Sequence, residues 1–205
     1  MADWTRRHSI ATVSRYGRSC KDTWPGNPQT CWRLAAAPAN TRSRQSPDIT
    51  WWPSDFNGRH LASIAAWRAH AGPSNLRPPF KLDLTDPAWC EEMRNGGGPT
   101  ALLAVFCANV IHIAPWRLTE GLFAGAARYL RSDGLLLLYG PFKRDGIALS
   151  NAVFDASLRE SDPEWGMRDT ADLEKLGHGN GLALREVVEM PDNNLILVFS
   201  RSNRK

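Results

Sequence analysis

Polar side chains follow several short apolar segments of this 205-residue chain. Asp55 comes shortly after the apolar and aromatic segment Ile49–Trp52, and Asn109 directly follows the apolar segment Leu102–Ala108. In open α/β sheets, ligands bind outside the carboxyl ends of the strands. A polar residue at such a position is therefore a candidate ligand-binding residue. The alternative for Asp55 is a capping or turn role before a helix.

His112 lies three residues beyond Asn109 and is the candidate catalytic group. The unperturbed pKa of histidine is near neutrality, which suits a general base, although a structural role is the alternative. The sequence contains no nucleophile–base pair, phosphate loop or metal-ligand spacing. None of its four cysteines forms a CxxC pair, and we expect Cys107 to be a small core residue. Such a chain suits a transfer reaction that depends on positioning.

The elements that must position these residues alternate between strands and helices. Alternation of this kind predicts a doubly wound, mostly parallel sheet, which a C-terminal antiparallel hairpin completes. We expect the third and fourth strands to be adjacent and central. The predicted strands are Ile49–Trp52, Phe80–Leu84, Leu102–Ala108, Leu135–Tyr139, Leu184–Glu189 and Leu195–Ser200. The predicted helices are Leu61–Ala71, Leu118–Leu130, Asn151–Glu160 and Thr170–Leu176, with a turn at Ser132–Gly134.

Residues 1–46 differ in character from residues 47–205, which we expect to form the folded domain. Prolines interrupt every candidate helix in the first segment, so it is predicted to be irregular. It carries eight basic and two acidic residues, a net charge of +6, which leaves −2 for the remainder of a +4 chain. The basicity therefore belongs to one segment, and a nucleic-acid partner is not expected. No apolar run is long enough to span a bilayer, so we expect a cytoplasmic protein.

From residue 47 onward, the chain resembles an uncharacterised family of methyltransferase-like proteins, the one that includes methyltransferase-like protein twenty-six. The resemblance rests on stretches in the same order, among them PDITWWPSD, LDLTDPAW, VFCANVIHIAPW and MPDNNLILVF. It implies a Rossmann-like class I methyltransferase fold with S-adenosylmethionine as the cofactor. We interpret the methyl acceptor as a small molecule. The alternative is a non-catalytic binding protein on the same fold.

The resemblance also implies roles for residues at the strand ends. Asp55 would bind the cofactor ribose, Asp83 and Leu84 its adenine, and Asn109 its methionine moiety or the substrate, with Cys107 and Ala108 beside it. The alternative for Asp83 is a turn before Pro87. His112 would be the base. The substrate pocket would be walled by Trp116, Tyr139, Phe142, Asn151 and Asp155, and the segment Trp165–Asp169 would fold over it.

One motif of the family is missing. Where members carry a glycine-rich turn after the first strand, this chain has TCWRLAAAPANTR, without a glycine. Glycines at such a turn let the backbone approach the cofactor. One allowed set of codons for Cys31–Arg42, read in a shifted frame, gives Leu-Glu-Ile-Gly-Ser-Gly-Thr-Gly-Glu-His-Ala. We therefore infer that residues from about Trp4 to about Ser46 are out of frame, that the first strand–loop–helix unit is missing or disordered, and that cofactor binding is impaired. The alternative is a coincidence of codons in a divergent N-terminus.

Overall fold

The computed structural model describes residues 50–71, 74–86, 88–89, 91–95, 98–144 and 149–202. The predictions for residues 1–46, including the glycine-free segment, lie outside these ranges, as do Cys20, Cys31 and Cys90. The chain divides into two compact units, one ending at Leu82 and the other beginning at Asp83.

The first unit is a short parallel strand pair joined by a helix. Strands β1 (Ser54–Asp55) and β2 (Phe80–Lys81) pair in parallel, and helix α1 (Gly58–Ala71) forms the crossover that parallel pairing requires. The strand predicted over Ile49–Trp52 is displaced toward the C-terminus, although Trp51 makes a single bridge with Leu76. The displacement follows from Pro53, whose carbonyl accepts a hydrogen bond from Phe80 but which has no N–H to donate.

The second predicted strand, Phe80–Leu84, is also shorter than expected. Strand β2 ends at Lys81, because the chain turns at Asp83. The Asp83 carboxylate accepts hydrogen bonds from the amide and the hydroxyl of Thr85, at 2.9 and 2.6 Å. A side chain that bonds to the backbone two residues ahead offers an alternative to the strand ladder.

The second unit contains the larger sheet. Its elements are α2 (Glu91–Asn95), β3 (Leu102–Ala108), α3 (Trp116–Tyr129), β4 (Leu130–Pro141), α4 (Leu149–Ser161), α5 (Thr170–Gly179), β5 (Leu182–Met190) and β6 (Asn194–Arg201), with 3-10 turns at Ile111–Ile113 and Pro191–Asn193. The strand order is β3-β4-β6-β5. Strands β3 and β4 are parallel, whereas β6 is antiparallel to both of its neighbours.

This arrangement is the predicted Rossmann-like methyltransferase sheet with a reversed hairpin strand. Three strands run in one direction, and β6 is inserted between β4 and β5 in the opposite direction. Strands β3 and β4 are adjacent, as expected. Within the described parts of the chain, however, β3 lies at the edge of the four-stranded sheet rather than at its centre.

The turn predicted at Ser132–Gly134 is wrong, because these residues lie inside β4. The pairing of β3 with β4 advances from Leu102 opposite Leu130 to Ala104 opposite Leu135. Strand β4 therefore holds three extra residues at this point, which the sheet accommodates as a bulge. Arg131 and Asp133 pair through two hydrogen bonds, at 2.9 and 2.8 Å, across the bulge.

Helix α3 supplies much of the core. The apolar face predicted for it is buried on the sheet, and Phe123 makes an edge-to-face contact with Phe199 of β6 at 5.0 Å between ring centres. Each fully buried large apolar side chain contributes about 1.5–3 kcal/mol. Leu122, Phe123 and Ala126 of this face are buried in α3, and Leu130, which was predicted to belong to the same helix, is buried as the first residue of β4. Packing of α3 fixes the parallel β3–β4 pair on which the candidate site is built.

Two glycines of α3 make room for the segment before α2. Trp89 donates a hydrogen bond from its ring nitrogen to the Gly121 carbonyl at 3.1 Å, and a Cβ on Gly125 would overlap the Trp89 ring. We expect Gly125→Ala to lower the free energy of unfolding by about 1–3 kcal/mol, the usual cost of overpacking. Urea denaturation measures the change. Gly179→Ala is the control, because nothing lies within 4 Å of its Cβ position. Equal stability of the two variants would contradict the packing argument.

Candidate functional site

The candidate site lies at the carboxyl ends of β3 and β4. Asn109 follows β3 directly, and its amide donates a hydrogen bond to the Tyr139 carbonyl of β4 at 2.9 Å. Its φ of 56° is in the left-handed region, which asparagine adopts more readily than most residues. This turn leads the chain into the 3-10 helix Ile111–Ile113, which carries His112.

The side chains of Asn109 and His112 converge on Gly140 of β4. A Cβ on Gly140 would overlap Nε2 of His112 and lie 2.9 Å from Oδ1 of Asn109. Both ring nitrogens of His112 and Oδ1 of Asn109 are buried without a hydrogen-bond partner among the described residues. A buried polar group without a partner costs about 1–3 kcal/mol, so a group of three such atoms requires an explanation. These atoms lie at the carboxyl ends of the strands, which is where ligands bind in open α/β sheets, and we therefore take this group as the candidate site.

Burial governs the protonation of His112, which is 2% exposed. Its pKa is lowered to about 3, mainly by desolvation and also by the positive charge of Arg168, while the Asp155 carboxylate acts in the opposite direction. His112 is therefore neutral near pH 7 and has one unprotonated ring nitrogen that can accept a proton. Its ring also packs edge-on against Phe142 at 4.9 Å between centres. The low pKa makes it a weak base in this state.

Arg168 holds the segment around His112 in place. Its guanidinium donates to the Ile111 carbonyl at 2.8 Å and to the carbonyls of Ala114 and Glu164, and it lies 5.6 Å from the centre of the Trp116 ring. Gly166 also donates its amide to the His112 carbonyl at 2.9 Å. The segment Trp165–Asp169 is thus packed against the 3-10 helix. The sequence prediction named this segment but did not identify Arg168.

Asp155 of α4 is the centre of a network that includes Lys143, just beyond the end of β4, and the segment Trp165–Asp169. One carboxylate oxygen accepts from Lys143 at 2.8 Å and from Arg159 at 3.2 Å, and the other accepts from the Met167 amide at 2.6 Å. Burial raises the pKa of Asp155, but these hydrogen bonds outweigh it, and the pKa falls below its ordinary value. Asp155 is therefore ionised and already engaged with protein groups.

The other predicted residues of this unit occupy varied positions. Asn151 of α4 is buried and donates to the Asn193 carbonyl at 3.3 Å, so it anchors the hairpin loop. Tyr139 is partly buried near the end of β4, and Trp116 begins α3.

Cys107 behaves as the core residue that the sequence predicted. Burial raises the pKa of Cys107 to about 12, so its thiol stays protonated. Ala108 is buried beside it at the end of β3.

The first unit places Asp55 at the end of β1. Its Oδ1 accepts a hydrogen bond from the Asn57 amide at 2.8 Å and lies 3.2 Å from Nδ1 of His60. This is the turn geometry that the sequence left as the alternative. Next to it, Phe56 is 63% exposed, with the Lys81 ammonium 5.4 Å from its ring centre. The sequence prediction did not name Phe56, although an aromatic residue directly after a strand-end carboxylate was a usable signal.

The described residues contain no group of three or more histidine, cysteine or acidic side chains that could hold a metal ion. No helix among them has the length and apolar character needed to cross a membrane.

Residues 39–201 match the family described as "Protein of unknown function (DUF938)". Among similar solved structures are an O-methyltransferase family protein from Burkholderia thailandensis (TM-score 0.66, 19% identity, covering 83% of this chain and 49% of that one) and CalO1, a methyltransferase in calicheamicin biosynthesis in its SAH-bound form (TM-score 0.63, 13% identity, covering 95% and 55%). A third is the O-methyltransferase NcsB1 from neocarzinostatin biosynthesis, in complex with S-adenosyl-L-homocysteine and 1,4-dihydroxy-2-naphthoic acid (TM-score 0.63, 14% identity, covering 82% and 47%).

This chain spans about half the length of those solved structures. At such low identities the likeness concerns the fold, which agrees with the reversed strand β6 between β4 and β5. The match over residues 39–201 covers most of the chain. The protein therefore belongs to the DUF938 family and has the Rossmann-like fold of S-adenosylmethionine-dependent methyltransferases.

Proposed function

We propose that this chain is an S-adenosylmethionine-dependent methyltransferase for a small-molecule acceptor, and that cofactor binding is impaired in the sequence as written. The observation that carries the proposal is the group of unpartnered buried atoms on Asn109 and His112 at the carboxyl ends of β3 and β4. The fold is one in which solved structures bind S-adenosyl-L-homocysteine. Complexes of NcsB1 with naphthoic acids support an aromatic small molecule as the acceptor.

The chain offers residues that fit parts of this cofactor. The unpartnered Oδ1 of Asn109 is an acceptor for an ammonium group such as that of the methionine moiety, and Cys107 and Ala108 lie beside it as apolar neighbours. In the first unit, the described residues leave Oδ2 of Asp55 without a hydrogen bond, so it can accept from a ribose hydroxyl. Phe56 presents an exposed ring face for stacking.

The residues predicted to contact the adenine, Asp83 and Leu84, fit their role less well than Asn109 and Asp55 fit theirs. The Asp83 carboxylate already accepts two hydrogen bonds from Thr85, which leaves less capacity for an adenine amine. Leu84 packs against the hydrophobic core of the second unit. We keep both as proposed adenine contacts.

When bound, the cofactor supplies an electrophilic methyl group on a sulfonium sulfur. For transfer to an acceptor hydroxyl, we assign the hydroxyl proton to the unprotonated ring nitrogen of His112. Because the pKa of His112 is about 3 in the absence of a ligand, the acceptor hydroxyl must be acidic, as a phenol is, or the bound acceptor must raise that pKa. Trp116, Tyr139 and Phe142 would wall the acceptor, and Asn151 and Asp155 would hold these walls in position.

The test has a binding arm and a transfer arm, and it uses the chain with the shifted reading frame restored. Calorimetry with S-adenosylmethionine measures binding, and the methyl-labelled cofactor with a set of hydroxyarenes measures transfer. Binding together with transfer supports the proposal. Binding without transfer to any hydroxyarene supports the non-catalytic alternative, and the absence of binding contradicts the proposal.

Asp55→Ala in the restored chain should weaken binding of S-adenosylmethionine by about 1–3 kcal/mol, because the ribose hydroxyls would lose their acceptor. The same calorimetric titration measures the change. Asp133→Ala is the matched control, since it removes one carboxylate from an exposed pair in β4. If Asp55→Ala and the unsubstituted chain bind S-adenosylmethionine with equal affinity, Asp55 does not contribute to the cofactor site.

A further inference from the structure

Three cations and one carboxylate form a connected cluster beside the candidate site. Lys143 and Arg159 both bond Asp155, at 2.8 and 3.2 Å, and Arg168 lies close enough for the charges of Arg159 and Asp155 to act on its pKa. Burial lowers the pKa of the half-buried Arg168, and Arg159 lowers it further. Positive charge in this cluster is therefore incompletely offset.

Hydrogen-bonding capacity for an anion remains in the cluster. Arg168 donates from Nε to the Ile111 carbonyl and from Nη2 to the carbonyls of Ala114 and Glu164, so it adds positive charge and rigidity. Arg159 is 51% exposed and bonds Asp155 through Nε alone among the described residues. Lys143 is 27% exposed, and within the part of the chain that the structure describes it has no carboxylate other than Asp155 within 4.0 Å. The terminal nitrogens of Arg159 and the ammonium of Lys143 can therefore donate hydrogen bonds to an oxyanion from solvent.

The cluster is electrostatically linked to His112. Arg168 lowers the pKa of His112 and Asp155 raises it, so both charges reach the ring. A second negative charge held by Lys143 and Arg159 would act in the same direction as Asp155. Binding of an anionic acceptor would thus make His112 a stronger base at the moment when it is needed.

We propose that Lys143 and Arg159 form a subsite for the carboxylate of the methyl acceptor, which is a hydroxylated aromatic acid with its hydroxyl directed toward His112. This inference rests on the proposed function, because only a methyltransferase would use the bound acid as a methyl acceptor. The carboxylate subsite itself can be measured without the cofactor. Arg159 and Lys143 are then specificity-determining residues, since they select an acid over the corresponding neutral phenol.

The test compares 1-hydroxy-2-naphthoate with 1-naphthol as calorimetric probes on the full chain. We expect the acid to bind at least about tenfold more tightly than the phenol, and Arg159→Gln to remove most of this advantage, because one charge-assisted hydrogen bond is worth about tenfold or more. Arg131→Gln is the matched control, since Arg131 is also 51% exposed and also paired with an aspartate. Arg159→Lys should restore part of the preference if charge rather than folding is responsible.

Equal affinity for the two probes, no binding of either probe, or an equal effect of Arg131→Gln would overturn the subsite. Displacement of the acid by an equal concentration of inorganic phosphate would overturn its assignment to carboxylates. A parallel titration of the restored chain with S-adenosyl-L-homocysteine separates the two proposals. Preference for the acid without cofactor binding would overturn the proposed function and leave the subsite standing.

Discussion

Restoring the shifted reading frame, so that the chain carries Leu-Glu-Ile-Gly-Ser-Gly-Thr-Gly-Glu-His-Ala in place of Cys31–Arg42, is expected to strengthen binding of S-adenosylmethionine by at least about 100-fold. That factor corresponds to about 2.7 kcal/mol, which two or three backbone amides aimed at the cofactor can supply. The glycines permit a turn that brings these amides close to the ligand at a helix start. The alanines and the single proline of TCWRLAAAPANTR cannot form this turn.

Calorimetric titration of both chains in one buffer measures this difference. The chain as written should show weak binding or none. Micromolar affinity of the chain as written would show that the glycine turn is dispensable in this protein, and the claim of impaired binding would be wrong. The nucleotide sequence that encodes residues 4–46 independently tests the frameshift.

Acidification should destabilise this protein through His112. Its pKa is about 3 in the folded state against about 6.5 for an unperturbed histidine, so the unfolded chain binds more protons between these two values. The contribution of neutral His112 to the free energy of unfolding is therefore fully present above about pH 6.5 and is lost as the pH falls. The loss is about 1.4 kcal/mol for each pH unit below about 6.5, and it levels off near pH 3.

Urea denaturation at pH 7, 6 and 5 measures this slope. His112→Leu should remove that part of the slope, because leucine cannot bind a proton. The control is His178→Asn, which replaces an exposed histidine of α5 and should leave the slope unchanged. The same slope in the His112→Leu chain and the unsubstituted chain would contradict the buried neutral state of His112.

The strongest sequence signals for structure were long apolar runs. Leu102–Ala108 forms β3 over the predicted range, because a run of seven apolar residues suits a strand packed in a sheet. The Ser-Asp-Gly triplet failed as a turn signal, since its residues are carried as a bulge inside β4. Local propensity predicts where the chain can bend, whereas pairing across the sheet decides whether it reverses direction.

The candidate site could be predicted in part from the sequence. Asn109 and His112 could be located because polar residues directly after a buried strand lie at the ligand-binding edge. Gly140 and Arg168 could not, because their roles depend on contacts across 28 or more residues of chain: Gly140 lies against His112, and Arg168 bonds the carbonyl of Ile111. Such contacts follow from the tertiary packing of β4 and the segment before α5.

Hydrogen exchange in the restored chain, with and without S-adenosyl-L-homocysteine, tests the central claim most directly. We propose that the cofactor binds at the carboxyl end of β3, where Asn109 and His112 have buried polar atoms without partners among the described residues. Backbone amides of residues 107–113 should therefore exchange more slowly when the cofactor product is bound. Saturation of the protein with S-adenosyl-L-homocysteine and unchanged exchange over residues 107–113 would contradict the account.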